Sequence, residues 1–243
     1  MKRTRLTRAM IGATLVSALP LAAVSAVSSP SPSISQAQHL ANLQTRGTAE
    51  ITRRLTALSS AQVAVTATTK LSVEDKAALT AQITAETASL TALKTKLAAD
   101  TDLTTARTDV QSIVSDYRVY ALMLPKARLA AALDHVMALE SALQKLHDKL
   151  LTPVGAEDAN PAAGVSADRA KLDEMAAQLA AAHAATDGLE AKLLALQPTD
   201  YNADHTVLTQ YRQSLTAARS DLAAARNDAK AIIDALKAGK PKS

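Results

Sequence analysis

Few residues of this chain could do chemistry by their type and spacing. The histidines are scattered, and no two stand three or four residues apart, so a helix cannot present a local pair of imidazoles to a metal ion. They are His39, His135, His147, His183 and His205. The chain has no cysteine, no G-x-S-x-G motif and no glycine-rich phosphate loop. The sequence therefore predicts no catalytic residue, no metal and no cofactor. An enzyme site assembled across several helices is the less favoured hypothesis.

One stretch partly matches a calcium-binding loop. Asp200, Asn202 and Asp204 alternate as oxygen ligands do in the first half of such a loop. His205 stands where the loop needs glycine, and Tyr211 stands where it needs a bidentate glutamate. Capping of a helix by Asn202, with Asp204 in its first turn, is the simpler interpretation.

The most distinctive short stretch runs from Asp116 to Tyr120. Tyr117 and Tyr120 share one face of a predicted helix, with Arg118 beside them. Tyrosine and arginine are enriched at binding hot spots, so Tyr117, Arg118 and Tyr120 form a candidate interaction patch. The favoured alternative is that both rings pack in a helix interface with their hydroxyls reaching water, because both lie on the apolar stripe.

The first 26 residues have the pattern of a secretory signal peptide. Four basic residues among the first eight precede an apolar run over residues 9–24, and the small residues at Val24–Ser25–Ala26 suit a signal peptidase. We expect cleavage after Ala26 and a secreted or extracytoplasmic protein. Retention as a membrane anchor is less favoured, because the run is shorter than the roughly 20 residues that span a bilayer.

Removal of this segment would balance the charge of the chain. The whole chain has 27 Lys+Arg and 23 Asp+Glu, and residues 1–26 hold four of the bases and none of the acids, which leaves 23 of each. A basic face of the kind that binds nucleic acid is not expected. We expect a protein partner or self-association, with no nucleic acid, no evident small-molecule substrate, and membrane contact only through the signal peptide before cleavage.

The composition favours helices with narrow interfaces. The chain has 54 alanines, no phenylalanine and no tryptophan. Alanine is the best helix former, and a core without large aromatic rings offers few walls for a small-molecule pocket. Apolar residues recur in steps of three and four along most of the chain, which is typical of helices with one apolar stripe.

The stripes and the residues that interrupt them predict the helix boundaries. A helix over 36–66 is followed by one that Ser72 caps, with Glu86 at the rim of its stripe. A central helix over 102–151, capped by Thr101 or Asp102, contains Pro125, where a kinked continuous path is slightly favoured over a clean break. A loop over 152–165 precedes a helix that continues through Gly188 to residue 196. A tight corner over 197–203 then leads to the last helix.

The expected architecture is all-α and elongated, built as antiparallel coiled-coil hairpins. Two triple-helical segments share the kinked central helix, each half packing against two other helices. The alternative is one compact bundle in which the chain folds back at Pro125. The predicted parts are the signal peptide (1–26), a disordered Ser/Pro lead-in (27–35), the first helical segment (36–124), the second half of the central helix (125–151), the linker (152–165), the C-terminal hairpin (166–238) and a tail (239–243).

Two runs resemble a known group of proteins. The segments K-L-S-V-E-D-K-A-A-L-T-A-Q-I (residues 70–83) and D-Y-R-V-Y-A-L-M-L-P-K (residues 116–126) resemble exported, alanine-rich helical proteins of actinobacteria and related bacteria. The resemblance implies export and a helical fold. The group has no established activity, so the resemblance implies no site residue.

The sequence thus favours a non-catalytic helical scaffold or adaptor that acts outside the membrane through protein–protein contacts. The alternative is a secreted chaperone-like or regulatory protein that holds a partner in a groove between helices. An exposed apolar strip left after intramolecular packing would favour this alternative.

Overall fold

The computed structural model describes residues 35–158 and 166–238, and these residues form helices and turns without any β-strand. The all-α fold class is confirmed. The elements are α1 (Gln36–Ala67), α2 (Val73–Ala99), α3 (Leu103–Ser115), a π-helical turn (Val119–Met123), α4 (Leu124–Asp158), α5 (Ser166–Thr186), α6 (Leu189–Ala195), α7 (Pro198–Ala203) and α8 (Thr209–Ala238). The predicted signal peptide, nearly all of the lead-in, the tail and part of the predicted linker lie outside the described residues.

Side-chain caps fix where the first helices begin. The Ser35 hydroxyl accepts from the backbone N–H of Gln38 in a reciprocal capping box at the start of α1. The Ser72 hydroxyl accepts from the Asp75 N–H at 3.0 Å, as predicted for α2. Asp102 accepts from the N–H groups of two residues in the first turn of α3. These caps satisfy backbone donors that have no partner within the helix.

The helices form two triple-helical segments. In the first, α1 packs against α2 and α3; in the second, α4, α5 and α8 pack against one another. Gln44 near the start of α1 donates to the Leu97 carbonyl near the end of α2, whereas Gln62 near the end of α1 donates to Thr80, so α1 and α2 are antiparallel. No extended contact joins α3 to α4 among the described residues. The alternative of a single bundle folded back at Pro125 is therefore not what the structure adopts.

The predicted stripes form the core of both segments. The leucines and isoleucines of the α2 stripe are all buried. The residues that α8 buries lie on its predicted stripe: Tyr211, Leu215, Ala218, Leu222, Ala225, Ala229 and Ile232. Gly47 is also buried, at a close approach of three helices. A Cβ atom built there would lie 2.5 Å from Leu97 and 2.8 Å from Val110. Glycine at this position lets α1 approach α2 and α3.

The central helix is interrupted earlier than predicted. α3 ends at Ser115, and after a turn the π-helical turn begins at Val119 and continues directly into α4. Pro125 is the second residue of α4 and directly follows the π-helical turn, to which it cannot donate a backbone N–H. The path is helical through Pro125, and the break lies at residues 116–118.

Three further boundaries differ from the prediction. α4 continues to Asp158 with Pro153 inside it, so the linker does not begin at residue 152; Leu150 and Val154, one turn apart and both buried, hold this part of the helix. The helix predicted to run through Gly188 is broken there, because Gly188 adopts a left-handed conformation with φ of 63°. The predicted corner contains the short helix α7. Among the described residues, no helix is both long and apolar enough to span a membrane.

Candidate functional site

The predicted interaction patch lies where the two helical segments join. Arg118 has a φ of 43°, the one non-glycine residue in the described chain with a positive φ. This left-handed conformation is unfavourable for a side chain with a Cβ atom. Asn202 of α7 stabilises it: its Oδ1 accepts from Arg118 Nε at 2.6 Å, and its Nδ2 donates to the Ser115 carbonyl at 2.8 Å. A residue far along the chain therefore caps the end of α3.

The break sends the three predicted side chains toward different neighbours. Tyr117 is partly buried and lines a cavity. The Arg118 guanidinium lies 5.4 Å from the centre of the Tyr201 ring. Tyr120 is 48% exposed, and its ring is covered on one side by the guanidinium of Arg54 at 5.3 Å. The two tyrosines do not share a helical face, since the helix that would align them ends at Ser115. Their role in binding stays a prediction.

The cavity beside Tyr117 is the most polar feature of the junction. Its volume is about 250 Å³, and it lies between α2, the break, the π-helical turn, the start of α4 and the turn from α6 to α7. The side chains that matter for its chemistry are Gln82, Glu86, Asp116, Tyr117 and Lys126. The apolar interfaces between the helices of each segment (the seams) bury mainly apolar residues, with Arg54, Asp109 and Thr186 as buried exceptions. The cavity brings charged and amide groups together in one place.

Lys126 is the most deeply buried charged side chain that lines this cavity, with 2% exposure. Its Nζ donates to the Leu196 carbonyl at 2.9 Å and approaches the Leu194 carbonyl at 3.5 Å. Gln82 Nε2 donates to the same Leu194 carbonyl at 3.0 Å. Both side chains thus satisfy carbonyls at the C-terminal end of α6, where a positive charge is also favoured by the helix dipole. Burial lowers the pKa of Lys126 to about 8.

Glu86 faces the cavity without a protein donor. One of its carboxylate oxygens is buried, as is the Oε1 atom of Gln82, and neither has a hydrogen-bond partner among the described residues. Burial raises the pKa of Glu86 to about 7, against the opposing charges of Lys126 and Arg54. Glu86 is half-buried as a residue, which agrees with the expected place at the rim of its stripe, although one of its carboxylate oxygens is enclosed. Groups with pKa values this close to neutrality are able to exchange protons or bind ions near pH 7.

A second group of ionisable residues lies where α2, α4 and α6 meet. One carboxylate oxygen from each of Asp75, Asp134 and Glu190 lies within 4.8 Å of the other two. Ser72 already donates to two of these groups, through its N–H to Asp134 at 2.6 Å and through its hydroxyl to Asp75 at 2.5 Å. Burial and the two neighbouring carboxylates raise the pKa of Glu190 to about 8. A proton on Glu190 lets it donate to its neighbours and hold the three elements together.

These three carboxylates are also the described residues that come nearest to a metal centre. They offer three oxygen atoms, whereas calcium takes six to eight ligands and magnesium six. Their contacts with Ser72 and the shared proton account for the cluster structurally. The calcium-like stretch is not a ligand set: Asp200 accepts from the N–H of Gln197, and Asp204 accepts from Thr206. The predicted capping of the following helix by Asn202 is wrong: Asn202 lies within α7 and its amide donates to the Ser115 carbonyl at the end of α3, while α8 begins only at Thr209.

A groove of about 750 Å³ extends from this carboxylate cluster along α4, α5 and α6. Its walls carry four carboxylic acids and two basic groups. The acids are Asp75, Glu140, Asp187 and Glu190, and the basic groups are Lys145 and His183. Met137, 42% exposed, contributes an apolar surface to the groove, together with Ala191 and Leu194.

Sequence reasoning missed both the cavity and the groove. The one available signal for the cavity was Glu86, a carboxylate at a stripe position where the pattern requires an apolar residue. Lys126 and Gln82 carry no such signal, because in the sequence each is an ordinary polar residue of its helix. Their contacts with the end of α6 form only in the folded structure. No protein-family model matches this chain, and no curated protein or solved structure shows significant similarity to it.

Proposed function

We propose that this protein is an exported, non-catalytic helical adaptor that acts through protein–protein contacts. The observation that carries this proposal is the groove between α4 and α5–α6, which combines an exposed methionine with an acidic rim. Export is supported by the basic and apolar pattern of residues 1–26. The absence from the sequence of a cysteine and of the common nucleophile and phosphate-loop motifs supports a role without catalysis.

The charges of the groove indicate the kind of partner. Near neutral pH three carboxylates of the groove carry charge, those of Asp75, Glu140 and Asp187, because Glu190 holds a proton. His183 lies 3.0 Å from the Glu140 carboxylate. A partner segment rich in lysine or arginine would meet complementary charge along the rim. An apolar side chain of the same segment would pack on Met137, whose flexible thioether adapts to different shapes. The proposed partner surface is therefore basic at its edges and apolar at its centre.

The second candidate function is a secreted chaperone-like or regulatory protein that holds a partner in this groove. The exposed position of Met137 favours it, since a flexible methionine side chain adapts to different partner sequences. The two functions differ in what they bind. An adaptor binds one folded partner, whereas a chaperone-like protein binds extended basic segments of several proteins.

Site-specific photocrosslinking tests the proposal directly. A photoreactive amino acid replaces Met137 in the full chain, and the matched control places it at Leu139, on the same helix and 37% exposed but outside the groove. Expression in an exporting bacterium followed by irradiation should give one discrete crosslinked protein from position 137 and none from position 139. Mass spectrometry of the crosslinked product identifies the partner or a second copy of this chain.

Charge reversal then distinguishes the groove from an incidental contact. The double substitution Glu140→Lys and Asp187→Lys should abolish crosslinking from position 137 while leaving the helical circular dichroism unchanged. Many crosslinked proteins of unrelated size would favour the chaperone-like function. Equal crosslinking from positions 137 and 139, or none from either, would contradict both functions.

A further inference from the structure

The polar cavity at the junction has two features that together indicate a ligand. Glu86 and Lys126 carry opposite charges and line the same cavity, yet they form no ion pair with each other. Two buried acceptors, Glu86 Oε1 and Gln82 Oε1, have no donor among the described residues. Single unpartnered acceptors also occur elsewhere in the described chain, such as Gln62 Oε1 and Gln178 Oε1. Buried polar atoms in proteins are almost always hydrogen-bonded, so two of them lining one cavity beside a buried lysine point to an occupant.

The orientation of Gln82 is fixed, which makes its free acceptor meaningful. Its Nε2 atom donates to the Leu194 carbonyl at 3.0 Å. A carbonyl can only accept, so turning the amide over would break this bond and place two acceptors against each other. The Oε1 atom of Gln82 is therefore held as an acceptor beside Glu86, one helical turn further along α2.

Lys126 supplies the complementary donor. An ammonium group has three N–H donors, and two of them point to the carbonyls of Leu194 and Leu196. The third remains for an anionic group in the cavity. Burial raises the pKa of Glu86 to about 7 and lowers that of Lys126 to about 8. Between these values, a large fraction of both groups is charged, and each lacks the solvation it would have in water.

The remaining walls and the size of the cavity limit the ligand. Leu122 and Met123 of the π-helical turn, both nearly buried, and the ring of Tyr117 give an apolar side. The volume of about 250 Å³ lies below the roughly 300–1,000 Å³ of sites that take drug-sized molecules. The site therefore suits a small molecule with a donor at one end, an acceptor at the other and a short apolar part.

We propose that this cavity binds a small zwitterion of the α-amino acid class. Its ammonium group donates to Glu86 and Gln82, its carboxylate accepts from Lys126, and its side chain packs on the Tyr117 side of the cavity. The proposal is independent of the groove and of the adaptor function, because it uses a different set of elements and predicts a small ligand in place of a protein.

Isothermal titration calorimetry of the full chain tests the requirement for both charges. The probes are glycine, L-alanine and L-leucine, measured at a pH between the pKa values of Glu86 and Lys126. For each amino acid that binds, two analogues are compared: the amide, which lacks the carboxylate, and the acid that lacks the amino group. We expect each analogue to bind at least about tenfold more weakly than the amino acid, because each loses one ionic contact in a partly buried site.

A charge-neutral variant identifies the residue. Glu86→Gln keeps the size of the side chain and should weaken amino-acid binding at least about tenfold, while Glu174→Gln, at an exposed position of α5, should leave it unchanged. Circular dichroism confirms that both variants are folded. Failure of all three amino acids to bind at millimolar concentration would overturn the proposal and leave water as the occupant. Equal binding of the analogues, or of the Glu86→Gln variant, would overturn it as well.

Discussion

The seams of the two triple-helical segments differ from the junction between them in what holds the chain in place. In the seams, most buried positions are leucine, isoleucine, valine or alanine, and close helix–helix packing is the main contact between the helices. At the junction, Lys126 and Gln82 cap α6, Asn202 caps α3, and Arg118 adopts a left-handed conformation. Stability therefore resides in the seams, whereas the polar groups able to bind ligands lie at the irregular parts between them.

The largest expected effect is the loss of seam packing. Leu222 in α8 is completely buried, so Leu222→Ala removes apolar surface and leaves a cavity. We expect the free energy of unfolding to fall by about 2–5 kcal/mol, measured by urea denaturation. Leu151→Ala, at a position 41% exposed, is the matched control and should lose far less. Similar losses for both variants would contradict the view that seam packing dominates the stability.

The close approach at Gly47 gives the next largest effect. Replacing glycine by alanine normally favours a helix by about 1 kcal/mol. At Gly47 the added Cβ would meet Leu97 and Val110 at 2.5 and 2.8 Å, so Gly47→Ala should instead destabilise the protein by about 1–3 kcal/mol.

Gly155 provides the control for this substitution. It also lies in a helix, but a Cβ atom there would meet nothing within 4 Å. Gly155→Ala should therefore raise the melting temperature, while Gly47→Ala lowers it. A gain in stability for both variants would show that α1 can move away from α2 and α3 without loss.

The same contrast explains what could be predicted from the sequence. Ser72 as a cap and the buried stripe of α2 follow from residues close to each other along the chain, and the structure has them as predicted. At Gly47 the neighbouring sequence indicates only the low helix propensity of glycine, because the close contacts of this residue come from Leu97 and Val110. The local spacing of apolar residues predicts which residues of a helix are buried. It does not show which helices approach each other most closely.

The junction was beyond local reasoning for a related reason. No residue next to Ser115 in the sequence caps the end of α3. The capping group is the side chain of Asn202, which belongs to α7 and contacts Ser115 only in the folded structure. The sequence predicts a loop from residue 152, but the buried side chains of Leu150 and Val154 hold α4 together through Pro153. Glu86 lies at the partly exposed rim of its stripe as predicted, but the pattern could not show that it shares a cavity there with Lys126. In each case a tertiary contact overrides the local preference.

The stability of the protein should depend on pH through Glu86, unlike the packing of the seams. Folding raises the pKa of Glu86 from 4.5 to about 7, so the stability linked to its proton is complete below pH 4.5 and is lost as the pH rises through 7. Glutamine does not titrate. We expect Glu86→Gln to become more stable than the natural protein by about 1–3 kcal/mol above pH 7, after allowance for partial exposure, and to show little of this gain at acidic pH.

Urea denaturation at an acidic and a mildly alkaline pH measures this difference, with Glu174→Gln as the control at an exposed position of α5. Lys126 changes stability in the opposite direction at higher pH. Its pKa is lowered on folding to about 8, so stability rises between pH 8 and its ordinary value of 10.5. A constant difference between Glu86→Gln and the natural protein at all pH values would show that Glu86 is not buried as a charge.

The smallest expected effect is at the end of α3. Asn202→Ala removes two hydrogen bonds, to Arg118 and to the Ser115 carbonyl. Because these groups are exposed, we expect a loss of only about 0.5–1.5 kcal/mol. The amide hydrogens of Asp116 and Leu122, on either side of the break, should exchange faster, while those in the seams should not change. Asn227→Ala, at an exposed position of α8, should slightly stabilise its helix. Unaltered hydrogen exchange at the break in Asn202→Ala would show that the left-handed conformation of Arg118 does not depend on Asn202. The junction would then rely on its local backbone and not on this long-range contact.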